Sequence, residues 1–107
     1  LKDMPDLDAL LAGKERFTHD PKRVSVSYAV AMGLSSRLLR GDAKFIAANT
    51  DRACEIAGTM PPEITCLFIV RSMVGNMDVR KAVLSAKSAH KWVTQHSELI
   101  DRYGIRK

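Results

Sequence analysis

Apolar and polar positions along the chain repeat with helical spacing in six places. Leu7, Leu10 and Leu11 share one face of a segment over 5–16, where Pro5 in the first turn loses no hydrogen bond, Asp3 or Met4 precedes it and Gly13 weakens its end. FTHDPK, residues 17–22, has loop chemistry, because Asp-Pro starts turns and the residue before proline avoids the helical region. A second helix is predicted over 24–40. Val24 and Val26 alternate with Ser25 and Ser27, so a short strand competes at its start. From Tyr28 onward the run is helical, with Arg37 and Arg40 in the last turn and Gly41 behind them.

Asp42 is a natural cap for a third helix, 43–57, with Ile46, Ala53, Ile56 and Ala57 on its inner face, Asn49 between them, Phe45 offset and Gly58 at its end. The stretch PPEITCLFIVRSMV, 61–74, is apolar almost all round. Pro61 or Pro62, with Glu63, suits the first turn of a fourth helix over 62–74, with Gly75 as its stop. Such a helix is expected to lie in the middle of the domain, contacted on several sides. On that placement Leu67→Ala costs about 2–5 kcal/mol. Asn76 caps a fifth helix over 77–86, with Val79, Val83 and Leu84 inward. A last helix over 88–103 carries Trp92, Val93, His96, Leu99, Ile100 and Tyr103 as one stripe, followed by Gly104.

The expected fold is therefore all-α, a compact bundle of five to six short helices around the central apolar helix at 62–74. With 107 residues the chain is read as one domain, 1–107, in which 1–20 form a loosely packed helix and loop. If helices three and four make an antiparallel hairpin turning near Met60, residues equidistant from the turn face each other. That rule sets Cys54 beside Cys66, Ala53 beside Leu67 and Asn49 beside Arg71. The two thiols then serve as small buried hydrophobes or as a reversible disulfide.

Composition changes this picture little. A hydrophobic fraction of 46% with 27% charged residues is that of a globular chain. The longest uncharged apolar stretch, Ile64 to Val70, is far short of the roughly 20 residues a membrane span needs. The N-terminus carries acids where a signal peptide needs cations. Two cysteines in no metal-ligand or secreted spacing point to a reduced, cytoplasmic chain. A start at Leu1 rather than Met suggests a piece of a longer protein.

Catalytic motifs are not found. Gly13-Lys14 lacks the upstream glycine and the following Ser or Thr of a phosphate loop. His19, His90 and His96 have no metal-ligand spacing, since a gap of six puts His90 and His96 on different helix faces. No serine sits in a nucleophile elbow, and neither cysteine has a histidine partner in sequence. No catalytic residue, cofactor or metal set is assigned.

The net charge of +5 permits an acidic partner. The basic groups that bear on binding are Arg37, Arg40 and Lys44 around one helix junction, Arg80 and Lys81 on the fifth helix, and Arg71. As a nucleic-acid face they would have to converge, and stacking aromatics are few. Arg71 is the most telling. An arginine in so oily a helix must snorkel, pair or face a partner. The hairpin register places it near Asn49, with Asp51 as a candidate for internal pairing; an exposed edge meeting another domain is the alternative.

The segment PPEITCLFIVRSMVGNMDVRKAVLSAKSAHKWVTQHSELI resembles the C-terminal helical part of MoxR-like AAA+ ATPases. The shared features are the Pro61-Pro62-Glu63 helix start, the apolar helix ending near Arg71, the short basic helix after it, and a last helix with Trp92 and then Ser97-Glu98-Leu99-Ile100. Tyr28 and the residues after it resemble the helix that precedes this unit, so the likeness runs over about 28–100. The nucleotide-binding core is missing, Gly75-Asn76-Met77-Asp78 stands where an Asp-Pro is expected, and no position matches a sensor arginine. The resemblance implies a lid or accessory domain that packs on an ATPase core or a neighbouring subunit without doing chemistry. The expected function is thus a non-catalytic helical interaction or lid-type domain of a larger, ATP-driven, oligomeric protein, with a protein partner or neighbouring domain. The alternative is a free-standing basic helical module binding nucleic acid. A small enzyme comes third.

Overall fold

In a computed structural model that describes residues 4–103, every regular element is helical. The expectations placed on Leu1, Asp3 and Gly104, and on the Tyr103 side chain, lie outside the described residues. The α-helices are α1 (Leu7–Leu11), α2 (Val24–Arg40), α3 (Ala43–Ala57), α4 (Pro62–Gly75), α5 (Met77–Ser85), α6 (Lys87–Gln95) and α7 (Ser97–Tyr103), with a 3-10 turn at Pro21–Arg23 before α2. The fold is the all-α bundle read from the sequence.

Local chemistry sets most of these boundaries. Asp42 Oδ1 accepts from the Phe45 N–H at 2.8 Å and starts α3, while Asn76 Oδ1 accepts from the Asp78 N–H at 2.8 Å and starts α5. The strand that competed at Val24–Val26 does not form: Asp20 Oδ1 accepts from the Lys22 N–H at 2.9 Å, and the turn it caps runs directly into α2. Helix α1 is shorter than the expected 5–16. Asp6 takes the cap, accepting from the Asp8 N–H at 3.0 Å, and Gly13 leaves the helix in a left-handed conformation with φ 76°. Its three leucines are nevertheless buried in the common core.

The last helix divides in two at His96. There the backbone leaves helical geometry, and the His96 ring stacks on Trp92 at a centroid distance of 4.2 Å. His96 Nδ1 lies 2.8 Å from the Trp92 carbonyl; a carbonyl only accepts, so Nδ1 carries the proton. The side chain thus engages a carbonyl of the turn behind it and ends α6.

Helix α4 packs against α2 on one side and α5 on the other, whereas α3 packs mainly on α5, α6 and α2. The long antiparallel α3–α4 hairpin is therefore not the packing found. Asn49 bonds within its own helix to the Phe45 carbonyl at 2.9 Å, and Asp51 Oδ1 accepts from the Ser88 N–H at 3.1 Å, at the start of α6. Neither meets Arg71. Cys54 and Cys66 are both buried and both free thiols.

The core runs from Leu7 to Ile100 and has Phe68, Leu34 and Leu38 among its fully buried side chains. Gly33, inside α2, is a point of close approach: a Cβ there would crowd the Leu7 side chain, so glycine lets α1 sit close on α2. Two expected core positions are corrected. Leu84 on α5 and Leu67 on α4 are exposed, and Phe68 occupies the central place expected of Leu67.

Candidate functional site: an exposed apolar stripe around Arg71

The contacts between α2 and α4 run in the same chain order. Arg71 Nη1 donates to the Met32 carbonyl at 3.3 Å and Nη2 to Ser36 Oγ at 2.9 Å. Ser72 Oγ and Ser35 Oγ are 3.0 Å apart in the buried seam, and Leu39 packs where a Cβ on Gly75 would stand. Positions 32, 35, 36 and 39 thus meet 71, 72 and 75, and the two helices lie parallel.

Arg71 sits on the open side of that seam. Leu67 is one turn before it and Val74 one turn after it on the same face of α4, and Tyr28 is one turn before Met32 on α2. These flanking side chains are not in the core: relative exposures are 49% for Tyr28, 48% for Leu67 and 78% for Val74. Leu67, Arg71 and Val74 thus form one exposed face of α4, with Tyr28 exposed on the neighbouring helix; Val24, Met77 and Leu84 are further exposed apolar side chains of the described residues. Apolar side chains scattered singly on a surface are ordinary, whereas a strip along one helix seam is what interaction surfaces look like.

The electrostatics of the strip are lopsided. Both Arg71 hydrogen bonds go to neutral oxygens, and no carboxylate among the described residues pairs with it. The expected internal ion pair with Asp51 is thereby corrected; the α2–α4 packing carries the arginine away from α3. Exposed Arg40 closes α2 just beyond Leu39, and exposed Glu63 stands two turns before Arg71.

The other candidate basic residues lie on α2, α3 and α5. Arg37 Nε donates to Asp8 Oδ1 at 2.9 Å, so its charge is compensated while it ties α1 to α2. Lys44 is exposed in the first turn of α3, Lys81 is exposed on α5, and Arg80 beside it is half-buried. Among the described residues no shared hydrogen-bond or ion-pair partner joins Arg37, Arg40, Lys44, Arg80 or Lys81 to Arg71.

Sequence reasoning passed over Tyr28, Leu67 and Val74 as surface residues, although one signal was present. In a helix apolar almost all round, Leu67, Arg71 and Val74 recur at i, i+4 and i+7, so the one charge in its second half marks the face that is left open.

Two further arrangements were absent from the sequence reading. His19 Nδ1 lies 2.6 Å from Ser27 Oγ, a pairing of the kind nucleophiles use, but Ser27 is fully buried and its hydroxyl is not open to a substrate. The pair fastens the loop before α2 to that helix. A groove of about 410 Å³ between α3 and α6 is lined by Cys54, Glu55, Thr59, Ser88, Lys91 and Trp92, among others. Burial, reinforced by the Asp51 charge, pushes the Cys54 thiol up to about 12, so it is not a nucleophile near neutral pH. Burial and then the Glu63 charge likewise raise Cys66. Among the described residues no three His, Cys, Asp or Glu side chains are grouped to hold a metal ion, and no helix is long and apolar enough to cross a membrane.

Fold and site together define a small all-α domain that presents a partly apolar, arginine-bearing face. Comparison with known proteins finds no family model, curated protein or solved structure that matches the chain.

Proposed function

We propose that this chain is a non-catalytic helical interaction domain of the lid type, working in the cytoplasm as part of a larger, ATP-driven oligomeric protein, and that the α2–α4 face is where it meets a protein partner or neighbouring domain. The observation that carries the reading is the exposure of Tyr28, Leu67 and Val74 around an arginine that pairs with no carboxylate among the described residues. Apolar area of that kind gains roughly 25 cal/mol per Å² when a partner covers it, and a folded monomer gains nothing by leaving it in water. The lid assignment rests on the resemblance of 28–100 to MoxR-like AAA+ proteins, in which such a piece would pass on nucleotide state rather than bind nucleotide itself.

The competing reading, a nucleic-acid module, is tested by titrating labelled duplex and single-stranded DNA at two salt concentrations. Expected is no saturable binding at low salt, because the basic groups are spread over four helices and Arg37 is already paired. Micromolar binding that weakens with salt by a log–log slope of about −0.9 per phosphate, and that weakens further in Arg71→Gln, would displace the protein-partner reading.

A further inference from the structure

Building on the protein-partner reading, we infer that the α2–α4 strip receives an acidic amphipathic helix, whose apolar side chains cover Leu67 and Val74 and whose carboxylate pairs with Arg71.

The inference starts from what covering this face would cost. A purely apolar partner would strip water from a guanidinium whose partners among the described residues are a backbone carbonyl and a serine hydroxyl. Burying a charge without a counter-charge opposes binding and offsets what the flanking apolar contacts return. A partner that seals Leu67 and Val74 must therefore bring an anion to the point between them. A carboxylate fits the guanidinium fork in bidentate fashion, and such charge-assisted bonds are about twice as strong as neutral ones. A phosphate would also satisfy the fork. A nucleic-acid backbone, however, would lay a run of charges over Leu67 and Val74, and its next phosphates would meet the Glu63 carboxylate. An isolated acid on apolar ground is protein chemistry.

The shape of the strip supports a helix as the element presented. Leu67 and Val74 are two turns apart, about 10 Å along the axis, and Arg71 divides them. The exposed face follows the seam between α2 and α4. A third helix laid into it offers apolar residues at i, i+4 and i+7, with an acid on the flank of that stripe. The remaining charges around the strip agree in sign with this occupant in part: Arg40 adds a second cation at the C-terminal end, while Glu63 at the other end favours a neutral or basic group there. The partner helix is accordingly acidic toward the Arg71–Arg40 end.

The probe is a pair of synthetic helical peptides about four turns long. One carries leucines at i, i+4 and i+7 with glutamates beside them, and its twin has lysine for every glutamate. Each is titrated into the isotopically labelled protein while backbone amide resonances are followed. Expected are shifts at Leu67, Arg71 and Val74 and at Tyr28, and an affinity for the acidic peptide about tenfold or more above that of its twin, a preference that Arg71→Met removes. Arg71→Met should melt at the temperature of the parent chain, since the side chain is exposed and its bonds go to neutral groups. Equal binding of both peptides at this face would overturn the acidic partner while leaving a protein-binding surface standing. Shifts confined to other helices, or none with either peptide, would overturn the inference. Binding of DNA with Arg71 dependence would overturn it together with the reading beneath it.

Discussion

Phe68 has no exposed surface, while Leu67, one residue earlier on the same helix, is about half exposed. The hundred-degree step between successive helical positions separates a core side chain from a surface one, and two alanine substitutions should register it. Phe68→Ala is expected to cost about 3–5 kcal/mol in urea unfolding, and Leu67→Ala less than about 1 kcal/mol. A loss of several kcal/mol at Leu67 would place that face in the core and remove the basis for a docking strip. The Cys54 thiol supports a second prediction at this scale. Its folded value, up to about 12, lies above the ordinary 9.0, so the folded chain holds this proton where the unfolded chain has lost it. Stability from this group is complete below the unfolded value and declines as pH rises from about 9 toward 12. The slope reaches at most about 1.4 kcal/mol per pH unit. Melting temperatures measured through that window should fall less steeply in Cys54→Ala than in the parent. Parallel curves would show that the thiol is open to solvent when folded.

Individual helices were legible to the extent that their ends carry side-chain chemistry. Asp42, Asn76 and the glycines at 41 and 58 mark boundaries where the structure has them, because a cap is decided by residues within one turn of it. Three features depend on competition that pattern does not reveal. Asp6, one residue past Pro5, takes the cap of α1. The last helix breaks at His96, whose ring and backbone N–H both donate to the Trp92 carbonyl. The open side of α4 is masked because apolar residues on every side leave little periodic contrast. The α2–α4 seam, which the hairpin reading missed, makes its own prediction. Ser35 and Ser72 are buried and hydrogen-bonded to each other, so either alanine substitution leaves a hydroxyl short of that partner, at a cost of about 1–2 kcal/mol. The double substitution should cost less than the sum of the two. Strict additivity would mean that the two hydroxyls are not coupled.

At the scale of the molecule, fold class came readily from the sequence, and the pairing of helices did not. Met60 and the two prolines after it turn the chain so that α4 lies chiefly along α2 and α5 rather than back along α3. Local spacing says nothing of that direction. The same change of neighbour accounts for the site. Arg71 was marked by sequence as the residue in need of an explanation, and the expected partner was wrong because the hairpin was wrong. Placed over α2, with neutral partners among the described residues, it becomes the centre of an exposed face rather than half of a buried ion pair. Tyr28, Leu67 and Val74 complete that face; the spacing of Leu67 and Val74 about Arg71 hinted at it, and the packing settles their exposure.

That this face holds a protein is tested most directly by site-specific photo-cross-linking in the protein's own cells, with a benzophenone side chain at position 67 or 74 and controls at the exposed positions 55 and 91 on α3 and α6. Expected is a discrete, nuclease-resistant protein adduct from 67 and 74, absent from both controls and lost when Arg71→Glu is combined with the label. Adducts of equal intensity from all four positions, or adducts that disappear with nuclease, would contradict it.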